Sequence, residues 1–148
     1  MRYKVSMPRD VRALVLAHVR GYERRREALR QARSGAITDR PEPAAAGGGG
    51  RKSRRGSDTE RRALELDRLT RCADGASVRA VEAALSAVGE DIEDAEVRRK
   101  LRDAVLLSCR CGRGFPYERM NVPTVGRDDF YRRRNAFLAD VAWELGYL

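Results

Sequence analysis

Apolar residues recur at spacings of three and four along almost the whole chain, and the rhythm fails completely only between Ser34 and Ser57. Such spacing puts one side of a helix into a core. Val11, Leu14, Val15, Val19 and Tyr22 share a side, Leu29 continues it, and only Gly21 interrupts this run of about six turns. Pro8 and Asp10 suit its start. Ser57 or Asp58 can cap a second run, with Ala63, Leu66 and Leu69 or Thr70 near one face and Leu64 widening it. Residues 73–76 read as a turn, and Ser77 opens a helix with Val78, Val81, Leu85 and Val88 inward, stopped by Gly89. A further helix runs from about Asp91 to Cys109, burying Ile92, Val97, Leu101, Val105 and Cys109. The expected fold is all-α, a small helical bundle, and 148 residues suffice for one modest core.

The break itself holds Pro41, Pro43, three alanines and Gly47 to Gly50, followed by Arg51, Lys52, Arg54 and Arg55. No side chains there can build a core, so residues 34–57 are expected to be a flexible Gly-rich basic linker. Its basic end is either a solvated spacer or an arm that follows phosphates. The chain then divides into a basic N-terminal helix (1–33), the linker (34–57), a helical scaffold (58–109) and a C-terminal module (110–148).

The chain carries 31 basic against 22 acidic side chains, a net +9, and nearly all the cations are arginine. Guanidinium forks suit phosphate oxygens and guanine edges. The excess is +7 over residues 1–40 and +4 over 51–62, whereas 63–109 is −3 and 110–148 only +2. Affinity for a polyanion and preference among sequences would thus be divided between regions.

Catalysis is not expected. The glycine run lacks a preceding strand and a following G-K-S, and His18 stands at no recognisable motif spacing from a nucleophile. Cys72, Cys109 and Cys111 do not have metal-ligand spacing, and they read as thiols of a reducing compartment. No cofactor or metal is implied. No run of 18 apolar residues exists, so no membrane partner is expected and the location is read as cytoplasmic.

The last third, Phe115 to Leu148, has the outline of a helix-turn-helix. Pro116 opens a short first helix whose Tyr117 and Met120 point one way. Asn121 and Pro123 make the turn, Val122 or Val125 plugs it, and Thr124 or Gly126 precedes the second helix. Phe130, Phe137, Leu138, Val141 and Leu145 form that helix's core stripe. Arg127, Asp128, Tyr131 and Arg132 are the candidates for base edges. Arg119, Arg133 and Arg134 join Arg51, Lys52, Arg54 and Arg55 as candidates for phosphates. Consecutive residues fan out by about 100°, so one of the three neighbouring arginines should cover scaffold instead. Asp128 and Asp129 fit a helix cap, or neutralise the N-terminus.

The order of these features, from GGGGRKSRRGSDTERRALELDRL to FPYERMNVPTVGRDDFYRRRNAFLADVAWELGYL, resembles the RinA/ArpU-type transcriptional regulators of prophages. The resemblance implies a C-terminal module like region 4 of a sigma factor and activation of late packaging or lysis operons. Its recognition helix would open at Gly126, Arg127, Asp128, Asp129, Phe130 and Tyr131. Gly126 stands where a serine is expected, Asp129 where threonine is usual, and the Cys109–Cys111 region replaces an expected aromatic pair. The partner implied is double-stranded DNA, bound as a monomer or dimer. Two competing readings are a packaging protein like a small terminase subunit and a non-catalytic adaptor for RNA polymerase or another protein, with acidic Glu90–Glu96 as its contact.

Overall fold

The computed structural model describes residues 6–38 and 54–148. Among these, every regular element is helical: α1 (Arg9–Arg20), α2 (Tyr22–Thr38), α3 (Arg54–Arg71), α4 (Ala73–Ala87), α5 (Ala95–Cys111), α6 (Tyr117–Met120) and α7 (Arg127–Glu144), with a 3-10 turn at Gly112–Gly114. Arg51 and Lys52 lie outside the described residues. Ser34 to Thr38 complete α2 and Arg54 to Ser57 begin α3, so both ends of the stretch expected to be linker are helical, and residues 39–53 of it lie outside the described residues. Thr38 ties back to the Ser34 carbonyl at 2.7 Å, a bond that extends the last turn.

The helices form two compact units, one holding the chain up to Glu23 with Ser77–Leu148, the other Arg24–Ala76. In the first unit α1 lies against both α5 and α7. Val15 and Val19 from α1, Val78 and Val81 from α4, Val88 just after it, Leu101 and Val105 from α5, and Phe130, Phe137, Leu138 and Val141 from α7 are buried. Ile92 and Leu85 are only half-buried, and Leu14, expected inside, is 50% exposed. Leu14 and Val15 are neighbours 100° apart, and Val15 takes the inward position.

Gly21 ends α1, its N–H bonded to the Ala17 carbonyl at 3.1 Å, and the chain restarts at once as α2. Asp94 caps α5 by accepting from the N–H groups of Glu96 and Val97. Gly89 has φ +78°, and a Cβ there would crowd Arg98 and Leu101.

In the second unit α4 starts four residues earlier than the Ser77 expected from sequence. Cys72 takes the cap position, its thiol accepting from the Gly75 N–H at 3.4 Å and its carbonyl from Ala76 at 2.9 Å. Arg25 on α2 pairs with Asp74 at the α4 start (3.2 Å). Leu66 and Leu69 of α3 are half-buried, whereas Leu64 is 64% exposed.

Candidate nucleic-acid interface

α6 is a single turn, and the path from it to α7 is fixed by backbone angles and by an aromatic cluster beneath. Asn121 adopts the left-handed region at φ 43°, and Thr124 does so at φ 66°. Gly126 then enters α7 in extended conformation. Val122 and Val125 are buried, and Tyr117 Oη donates to the Val125 carbonyl at 2.5 Å. Phe130 is inaccessible to solvent, stacked on Phe115 (5.2 Å between centroids) and tilted against Tyr117 (5.3 Å). Tyr117, Met120 and Leu145 are half-buried, so the expected core residues all touch the interior to some degree.

Three of the base-edge candidates lie in solvent at the leading end of α7: Arg127, Asp128 and Arg132. Arg127 pairs with Glu118 of α6 at 3.2 Å, both side chains exposed. Arg132 donates to Asp129. Tyr131 is instead half-buried, edge-on to Phe130 and beneath the Arg134 guanidinium at 4.9 Å. Neither aspartate makes a cap bond to the backbone, and Asp129 serves as an acceptor for Arg132 and Arg133. Burial works against its charge, but those two bonds outweigh it and hold the Asp129 carboxyl below the ordinary range.

Among the phosphate candidates, Arg119 is exposed on α6. Arg133 turns inward, its side chain 19% exposed, and grips Asp91 with two bonds while also meeting Asp129 at 2.9 Å. Arg134 donates to Ser108 Oγ of α5 at 3.1 Å. Consecutive arginines thus fan out as helical geometry requires, but two of the three, not one, are engaged inside the unit. Arg54 and Arg55 belong to the first turn of α3.

Sequence reading passed over one participant. Asn135 is exposed on the stripe that runs Asp128, Arg132, Asn135, and its Oδ1 accepts from Arg12 of α1 at 3.4 Å. Its four-and-three spacing was a legible signal. Asp91 was visible only as one acid among several, since its partner lies 42 residues on. Glu96 likewise pairs with Arg99, so much of the acidic stretch is used within the fold. His18 bridges Ser77 Oγ (2.8 Å) and Tyr147 Oη (3.1 Å), but Ser77 is 2% exposed, which makes this a link between elements and not a reactive hydroxyl.

Among the described residues, no three His, Cys, Asp or Glu side chains converge as metal ligands, and no helix is long and apolar enough to cross a membrane. Comparison with known protein families, curated proteins and solved structures gives no match for this chain.

Proposed function

We propose that the protein binds double-stranded DNA with sequence preference through α6, its turn and the first half of α7, and acts as a phage-type regulator of late genes. The carrying observation is the division of α7 into two faces. Phe130, Phe137, Leu138 and Val141 anchor one, while Arg127, Asp128, Arg132 and Asn135 are left in solvent at the leading end of the other. Arginine and asparagine are the side chains best shaped for guanine and adenine edges. The acid that holds Arg127 does so at the surface, where an ion pair contributes little and exchanges readily for a nucleic-acid acceptor, and Arg132 is itself exposed although its partner Asp129 is shared with Arg133. The regulatory role rests on the order of features shared with prophage activators.

A second reading, an adaptor that docks on another protein, draws on Trp143 of α7, which is 70% exposed. The deciding experiment titrates labelled fragments of the neighbouring genome region at two salt concentrations against an unrelated competitor. One fragment should survive both challenges. Arg127→Ala and Arg132→Ala should each cut the preference for it by about tenfold or more. Weak binding, equal for all fragments and abolished by salt, overturns the DNA reading in favour of the adaptor.

A further inference from the structure

Arg127, Arg132 and Asn135 are the long polar side chains at the exposed front of α7, and they are held in different ways. Arg127 gives its donors to Glu118 and Arg132 to Asp129. Asn135 is held from another helix: the Arg12 guanidinium of α1 donates to its Oδ1 at 3.4 Å. Among the described residues neither Arg12 nor Asn135 makes another hydrogen bond or ion pair. Arg12 is half-buried, on the side of α1 that carries the buried Val15 and Val19. Since α1 lies against α7 in the same unit, packing sets where this fork can reach. A guanidinium only donates, so the group that Asn135 turns towards Arg12 has to be its carbonyl. Chemistry thereby fixes which way the amide faces. Oδ1 keeps a second lone pair, and both Nδ2 hydrogens stay unengaged.

We infer that Asn135 reads an adenine in the major groove and that Arg12 is its positioning residue, so that α1 contributes to sequence preference without touching a base. The inference rests on the DNA reading above and names one base of the target. Adenine presents N7 as an acceptor and N6 as a donor, and an asparagine amide meets both at once. Held by Arg12, Oδ1 accepts from N6 on its free lone pair while Nδ2 donates to N7, with no rearrangement. Guanine presents two acceptors, N7 and O6, and suits the amide turned over. Turned over, the amide sets Nδ2 against the Arg12 guanidinium, donor against donor. One bond thus favours adenine and disfavours guanine at the same position. Asp128, Arg132 and Asn135 lie within about two turns of α7, the length over which a recognition helix meets successive bases. Arg127 and Arg132 must release an acid before they read, whereas Asn135 releases nothing.

The test uses the full chain with Arg12→Met, which keeps the stem and removes the donors, and Arg12→Lys, which keeps a donating cation. Asn135→Ala is made alone and together with Arg12→Met. Circular dichroism checks the helices, since Arg12 is half-buried. The first arm needs no DNA. The side-chain amide resonances of Asn135 should shift in Arg12→Met and less in Arg12→Lys, and resonances that stay in place overturn the positioning bond. The second arm takes the duplex fragment that the wild type prefers and measures affinity for each single base-pair change in it. One A·T pair should lose about tenfold or more on change to G·C. Asn135→Ala should abolish that loss, Arg12→Met should shrink it by about three- to tenfold, and Arg12→Lys should retain most of it. In the Asn135→Ala background Arg12→Met should add nothing at this pair. An Arg12→Met protein that weakens all sequences alike, with the adenine preference intact, overturns the inference. So does a wild type in which no A·T pair depends on Asn135. In both cases the DNA reading stands if Arg127→Ala still costs discrimination. A wild type that prefers no fragment removes the DNA reading and this inference with it.

Discussion

Arg133 and Asp91 hold each other through two parallel bonds of 2.6 and 2.7 Å, joining the first half of α7 to the loop that follows α4. Asp91 is itself 64% exposed, but its arginine is only 19% exposed, so the pair closes the surface over a buried cation stem. The front of α7 is therefore positioned by an ion pair outside the aromatic cluster, and the orientation of Arg127 and Arg132 depends on both.

That relationship predicts an acid limb. The hydrogen bonds from Arg133 lower the Asp91 carboxyl from 3.8 to about 2, so the pair's contribution is present above about pH 4 and is lost as pH falls towards 2. Glu27, lowered from 4.5 to about 2 chiefly by Arg30, titrates over an overlapping window. Thermal melts should be flat across pH 5 to 7 as far as these two groups are concerned, then decline below about pH 4. Asp91→Asn should cost about 1 kcal/mol or less at neutral pH and make the decline shallower. An unchanged acid limb in that variant would remove the pair from the account.

Gly75 should tolerate no side chain. A Cβ there would lie 2.5 Å from the Leu69 carbonyl oxygen and 2.6 Å from that of Thr70, both backbone atoms that cannot swing aside. Gly75→Ala should destabilise by about 1–3 kcal/mol even though alanine is the better helix former. Denaturant titration decides it; a variant as stable as the parent would show that α3 and α4 do not meet this closely.

Much of the helical organisation was legible because three-and-four spacing reports burial directly: Val15, Val19, Val81, Leu101, Val105 and Val141 all lie where their period puts them. Helix starts were harder. Sequence marks Ser77 as the cap before its apolar stripe, yet Cys72 supplies the carbonyl and thiol that begin α4, a role its side chain rarely advertises. At the candidate interface the aromatic anchor Phe130 and the exposed Arg127 and Arg132 could be placed from spacing alone. The destinations of Arg133, Arg134 and Arg12 could not, because they depend on Asp91, Ser108 and Asn135, and local periodicity carries no information about which distant element faces a side chain.

The thiols should differ in reactivity by burial. Cys109 is 2% exposed, and its burial pushes the thiol up to about 11, leaving little thiolate at neutral pH. Cys111, two residues on, is exposed. Iodoacetamide at pH 7.5 should modify Cys111 first and Cys109 only after denaturation, as mass spectrometry of timed digests would show. Equal rates at the two positions would mean that the last turn of α5 opens in the native state.

Thr124 gives the sharpest test of the turn. Its φ of 66° suits glycine or asparagine, and a β-branched side chain pays for that conformation with crowding of its own backbone. The residue is exposed, so no packing is lost by removing its side chain. Thr124→Gly should therefore hold stability or raise it by up to about 1 kcal/mol, the relief of strain offsetting the greater freedom of glycine in the unfolded chain. Thr124→Pro should do the opposite by several-fold, since its ring fixes φ near −65°. Tyr117→Phe provides the matching control from inside. It keeps the ring against Phe130 but leaves the Val125 carbonyl without the hydroxyl that binds it, at a cost of about 1 kcal/mol. If glycine at 124 destabilises while phenylalanine at 117 is neutral, the chain passes from α6 to α7 by another path, and the front of α7 would be presented differently.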